Sequence, residues 1–132
     1  TGKPIDVQKV IETASALGAG GLNVFIGTVR NATKNKNVRW LEYESYEAMA
    51  VVEIKKIVDE AMGRWNLLGH AISHRVGTLK PGEIAVVVAV STPHRKESFE
   101  ACQFIVDELK AKAPIWKKEV FEDGEQWVSA HP

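Results

Sequence analysis

The sequence predicts an α+β domain, with helices packed on a mainly antiparallel sheet. Three features carry that prediction. Apolar spacing alternates between helical and strand periods in the order α-β-β-α-β-β-α-β-β. The run from Ile84 to Val90 contains no polar residue, as a central strand covered on both faces requires. No repeat, low-complexity tract or long linker divides the 132 residues, so residues 1–132 read as one domain.

Asp6 is placed to cap a first helix, in which Val7, Val10, Ile11, Ala14 and Leu17 recur at helical spacing before Gly18 and Gly20 end it. GLNVFIGTVR (21–30) alternates as a strand, with Leu22, Val24, Ile26 and Thr28 on one face and Phe25 and Val29 on the other. Residues 31–37, NATKNKN, lack an apolar anchor and read as a polar loop. VRWLEYESY (38–46) reads as a second strand paired with the first. A helix over about 47–64 should turn Met49, Val52, Ile57 (or neighbouring Val51 and Ile54), Ala61 and Trp65 to the core. Its Glu53, Lys55, Lys56, Asp59 and Glu60 then form a solvated face.

HAISHRVGTL (70–79) and EIAVVVAVS (83–91) read as strands joined by a Lys80-Pro81-Gly82 turn. Thr92 as N-cap and Pro93 at the first position start a third helix that runs to about Lys112, where Pro114 stops it. Phe99, Cys102, Val106, Leu109 and Ala113 form its apolar stripe, with Ile105 beside it. Phe104 lies nearly opposite, which suits either a subunit interface or a covering loop. KKEVFEDGEQWVSA reads as a terminal hairpin turning at Asp123-Gly124.

Seventeen basic residues balance seventeen acidic ones, so no overall field favours nucleic acid or an anionic membrane. The single cysteine, Cys102, excludes an intrachain disulfide and a cysteine-based zinc cluster, and suits a reducing cytoplasm. No apolar run is long enough to span a bilayer, and TGKPIDVQKV lacks the apolar region of a signal peptide. Neither a dinucleotide or phosphate-binding glycine loop nor metal-ligand spacing occurs, and Ser91 and Ser98 lack convincing His-Asp partners. The expectation is therefore no metal and no resident cofactor.

Against this neutral background, cations gather in Ser91–Glu119: His94, Arg95 and Lys96 at one end, Lys110, Lys112, Lys117 and Lys118 at the other. His94 and Arg95 fall where a helix start already favours an anion. Lys110 lies about 70° from the middle of the apolar stripe, at its border. An amine there can act from a cleft as an acid or base, or can snorkel as an ordinary surface lysine. Favourable placement near a helix C-terminus accounts for one or two of the four lysines more readily than for all of them. Arg30 ends the first strand, where it is either a ligand clamp or a solvated terminus. His74 and Arg75 alternate across a strand, so at least one is structural.

The strand ending F-x-G-x-V-R-N (Phe25 to Asn31), the segment H-R-V-G (His74 to Gly77), H-R at 94–95 and the run FEACQFIVDELKAKAPIWKKE together resemble the large, catalytic subunit of molybdopterin synthase. The resemblance covers nearly the whole chain. It implies an α/β hammerhead-like fold with an additional small antiparallel sheet. It also implies a sulfurtransferase of molybdenum cofactor biosynthesis, acting on cyclic pyranopterin monophosphate (precursor Z). The sulfur would come from the C-terminal thiocarboxylate of a small ubiquitin-like subunit, in a heterotetramer built on a homodimer of large subunits. By the same resemblance Lys110 and Lys117 are catalytic. Phe25, Thr28, Val29, Arg30, His94, Arg95, Lys118 and Glu119 match substrate-binding positions, with His94 and Arg95 supplied across the dimer. Because a helix of about twenty residues spans roughly 30 Å, one small pterin cannot touch both its ends, and a dimer would make the segment half of two sites.

A non-catalytic α+β module that holds a phosphorylated ligand with the same cations is the competing reading. An RNA-binding domain fits poorly, since no aromatic-rich basic strand is present.

Overall fold

The computed structural model describes residues 1–33, 36–122 and 124–129. In chain order the elements are α1 (Val7–Ala14), β1 (Gly21–Thr28), β2 (Ala32–Thr33), β3 (Lys36–Ser45), α2 (Glu47–Arg64) and β4 (Gly69–His74), followed by β5 (Gly77–Leu79), β6 (Ile84–Thr92), α3 (Arg95–Lys112), β7 (Ile115–Phe121) and β8 (Gly124–Ser129). They form an α+β domain with two antiparallel sheets. One sheet has the order β1-β6-β4; the other runs β2-β3-β7-β8, with β5 also paired to β3.

The expected pairing of the second strand with the first is wrong. β1 is matched along its length by β6, from Gly21 opposite Thr92 to Thr28 opposite Ile84. β3 instead pairs with β7, β5 and, through Asn37 and Lys36, β2. The polar stretch 31–37 thus includes a two-pair ladder rather than loop alone, with Lys34 and Asn35 outside the described residues. The segment 70–79 is likewise two strands in different sheets. Arg75 donates its backbone N–H to Ala85 (2.8 Å) at the end of β4. The chain then changes sheet at Gly77, whose φ of 101° is left-handed and open to glycine at little cost.

The Lys80-Pro81-Gly82 turn forms as expected. Glu83 N–H closes onto the Lys80 carbonyl at 3.0 Å. Gly82, with φ 90°, occupies the position where a type II turn requires a positive angle. β6 is the central strand, and Val87, Val88, Ala89 and Val90 are fully buried. α1 covers one side of it through Val10, Ala14, Val87 and Ala89. On the other side α3 contributes Ala101, Cys102, Ile105 and Leu109 to the main core.

Three helix details differ from the sequence pattern. Asp6 caps α1 by accepting from Lys9 N–H (3.2 Å), but the helix ends at Ala14 and Leu17 is fully exposed. Ser15 takes an extended conformation there, and its hydroxyl donates to the Ile11 carbonyl at 2.7 Å. α2 has the expected limits, yet buries Ala50, Ile57, Val58 and Ala61 while Met49, Val51 and Val52 stay exposed. At 100° per residue Met49 and Val52 fall among the charged Lys56, Asp59 and Glu60, so the opposite face, with two alanines, turns inward.

α3 starts at Arg95, with His94 as the extended N-cap residue. Thr92 remains in β6, and its hydroxyl donates to the His94 carbonyl (2.6 Å). The buried stripe of α3 is Ser98, Ala101, Cys102, Ile105 and Leu109, whereas Phe99 is 59% exposed. The rotation follows from close approach to β1: a methyl group on Gly21 would lie 2.9 Å from Arg95 Cα and 3.3 Å from Ser98 Oγ. A small side chain must face that point, which turns Phe99 outward. Phe104 packs against Trp65, with ring centroids 5.4 Å apart, and lies beneath Arg64. Phe104 is therefore covered within the chain.

Pro114 follows α3 as expected and leads into β7, which pairs with β8 in the terminal hairpin. Asp123 of the expected turn lies outside the described residues.

Candidate active site

A cleft of about 480 Å³ opens where β1, β3, β4, β6, β7 and the end of α3 meet; its lining includes Phe25, Thr28, Arg30, Tyr43, His74, Lys110 and Lys117. Each cation arrives on a different element. Beyond β1, Val29 donates to the Glu83 carbonyl (3.0 Å) and accepts from Gly82 N–H (2.8 Å), fixing the backbone at Arg30. Val29 itself is buried in the core, so its side chain does not line the cleft.

Lys110 stands in the last turn of α3, one residue past the buried Leu109. Lys117 follows the Pro114 bend and sits on β7 opposite Tyr43 of β3. The expectation that Lys117 lies on an extended piece folded back beside the helix end is met. Three cations from separated parts of a chain with no net charge therefore converge on one concavity.

Their electrostatics are unequal. Lys117 has its pKa pushed below the usual lysine range, chiefly by burial, with Arg30 and Lys110 adding to the depression and Glu119 opposing it. Burial disfavours the ammonium form, and two neighbouring cations do the same. Glu119, two residues along β7 and thus on the same face as Lys117, is 3% exposed, and its Oε2 has no hydrogen-bond partner among the described residues. Burial, then the charge of Glu119, pushes the Tyr43 phenol up to about 12. Lys118 points to the opposite face and pairs with Glu42 at 3.0 Å. Neither Lys118 nor Glu119 lines the cleft; Glu119 acts on it through its charge.

His94 and Arg95 are not brought into this cleft. They stand at the other end of α3, and the sixteen residues from His94 to Lys110 correspond to roughly 24 Å of helix. His94 borders a second concavity with Arg64, Lys96 and Glu97.

Of the polar lining residues, Tyr43 was missed by sequence reasoning and His74 was noted only as one of a basic pair. The rings meet edge to face, with centroids 5.1 Å apart and planes at 72°. Nothing in VRWLEYESY marks Tyr43, because its place opposite Lys117 depends on the pairing of distant strands. Of the His74-Arg75 pair, Arg75 is the structural member: its guanidinium pairs with Glu83 across the turn. Lys112 is held on the helix surface by Glu108 at 2.7 Å. Cys102 is buried, and its thiol is pushed up to about 11, chiefly by desolvation, so it is inert packing.

Among the described residues no group of three or more His, Cys, Asp or Glu side chains is arranged to hold a metal ion. No described helix is long and apolar enough to cross a membrane.

The chain is 47% identical over 126 residues to the molybdopterin synthase catalytic subunit of Halalkalibacterium halodurans, covering 96% of this chain and 81% of that protein. The X-ray crystal structure of molybdopterin synthase from Staphylococcus aureus superposes with a TM-score of 0.92 at 38% identity, over 96% of this chain and 93% of that one. A chain in the protein-protein complex of subunits 1 and 2 of molybdopterin-converting factor from Helicobacter pylori shares the fold, with a TM-score of 0.78 at 23% identity over 98% and 89% of the two chains. The family model described as MoaE protein matches residues 1–112, and this protein belongs to that family, whose curated members at this level of identity are molybdopterin synthase catalytic subunits.

Proposed function

We propose that the cleft is the site at which sulfur from the C-terminal thiocarboxylate of a small ubiquitin-like subunit is installed in cyclic pyranopterin monophosphate, forming the dithiolene of molybdopterin. The convergence of Arg30, Lys110 and Lys117 carries this reading. Both reactants are anionic: one bears a phosphate and the other a thiocarboxylate. A locally cationic cleft in a neutral chain suits such a pair without attracting polyanions in general.

Lys117 is the group best suited to exchange a proton, because burial and two neighbouring cations lower its pKa from the ordinary lysine value. Lys110 stabilises the negative charge that develops when the acyl–sulfur bond of the carrier tail is broken. Arg30 offers a planar fork of donors for phosphate or carboxylate. Thr28 and Phe25 shape the mouth and wall. His94 and Arg95 complete the cleft from a second copy of the chain, since their own end of α3 is too distant to do so. Lys118 and Glu119 act from the β7 segment, Lys118 by fixing its register against Glu42 and Glu119 by setting the field at Lys117. The assembly is a homodimer of large subunits with a small subunit at each end, working in the cytoplasm without a resident cofactor.

The test is to mix the protein with thiocarboxylated small subunit and cyclic pyranopterin monophosphate and assay for dithiolene product. Product that depends on the thiocarboxylate supports the assignment. Tight substrate binding with no product would instead identify a non-catalytic anion-binding module.

A further inference from the structure

The cations of the cleft can only donate hydrogen bonds, yet a pterin also presents N–H groups that need acceptors. Among the described side chains lining the cleft there is no carboxylate and no amide; Thr28, Tyr43 and His74 are the ones able to accept. Thr28 lies exposed at the mouth, whereas Tyr43 and His74 are set deeper.

The state of His74 follows from one contact. Its Nδ1 lies 2.8 Å from the Arg75 carbonyl oxygen. A carbonyl only accepts, so Nδ1 carries the proton and Nε2 of the neutral ring keeps its lone pair. Burial also lowers the His74 pKa, with the backbone bond to Arg75 opposing. The edge-to-face contact with Tyr43 holds the ring plane.

Resting on the function proposed above, we propose that His74 Nε2 is a specificity-determining acceptor for the N–H-bearing edge of the pterin ring, with Tyr43 as the positioning residue that holds the imidazole. The cations then hold the anionic end of the substrate while His74 reads its heterocycle. A site built to bond an N–H discriminates strongly against a ring that lacks it.

The test uses the complete complex with thiocarboxylated small subunit. His74→Phe keeps an aromatic edge against Tyr43 but removes the acceptor; His74→Gln returns an acceptor near the Nε2 position. The expected result is a KM for cyclic pyranopterin monophosphate raised roughly tenfold in His74→Phe, the worth of one unmade hydrogen bond. The value of kcat should change little, and His74→Gln should recover most of the loss. An unchanged KM in His74→Phe, or equal loss in both variants, overturns the proposal. If the variants do not fold, ¹⁵N NMR of the wild-type histidines decides. Substrate should shift the His74 Nε2 resonance from that of a free lone pair toward a hydrogen-bonded one, and no shift overturns the proposal. Failure of the wild type to make product would instead reject the underlying functional reading, so the two failures are distinguishable.

Discussion

Lys110→Ala should separate catalysis from folding. Lys110 is exposed at the end of α3, and its removal leaves the buried stripe intact. Alanine is a slightly better helix former than lysine, while loss of a cation in the last turn costs about 0.3–1 kcal/mol. The two effects nearly cancel, leaving a net change of about 0.5 kcal/mol or less. For 132 residues, an unfolding entropy of about 2.1 cal/mol/K per residue converts that to a Tm change of about 2 °C. Turnover should respond far more. Loss of one preorganised charge-stabilising donor typically costs about 10²- to 10³-fold in rate. Arg30 and Lys117 start from other elements and cannot occupy the vacated position. The assay is single-turnover dithiolene formation with saturating thiocarboxylated small subunit, paired with a thermal melt and a carrier-binding titration. Near-normal turnover would refute the assignment of Lys110, and a melt lowered by ten degrees or more would refute the separation of roles.

Gly69→Ala should destabilise the domain by about 1–3 kcal/mol, since the new methyl would overlap the Ala14 carbonyl where α1 meets β4; denaturant unfolding measures this. Lys117→Met should abolish or strongly reduce turnover yet raise stability at neutral pH. The sign follows from a folded-state pKa lowered below 10.5: the folded state pays to keep Lys117 charged when both states are protonated, and that penalty disappears as pH rises from the folded value to the unfolded one. Wild-type stability should therefore gain relative to Lys117→Met across the alkaline window ending near 10.5, as read from unfolding curves at successive pH values. Cys102, with its thiol pushed up to about 11, should resist alkylation at pH 8 in the native protein and react on unfolding, as mass spectrometry will show.

Much of the fold is legible where a local signal determines it. The limits of α2, the buried run of β6, the Pro81-Gly82 turn and the stop at Pro114 all rest on residues within a few positions of the feature. Sheet membership is different. β3 looks like a partner for β1, and only the β1–β6 ladder and the sheet change at Gly77 assign it elsewhere. Helix rotation is also set from outside, as Gly21 does when it admits Ser98 and expels Phe99. The site divides the same way. Arg30, Lys110 and Lys117 were legible as cations for which a surface role and a site role stood equally open, and the family resemblance singled them out. Tyr43 was not, because it becomes a site residue only by standing opposite Lys117.

The most direct test of the central claim is complementation between two inactive variants, Lys110→Ala and Arg95→Ala. If each cleft uses Lys110 of one copy and Arg95 of the other, random exchange of subunits gives mixed dimers with one intact site and one doubly damaged site. An equimolar mixture should then recover about a quarter of wild-type dithiolene formation, since about half the dimers are mixed and each has one of two sites intact. A mixture no more active than its parents after demonstrated subunit exchange, or an Arg95→Ala variant with normal activity, would contradict the account.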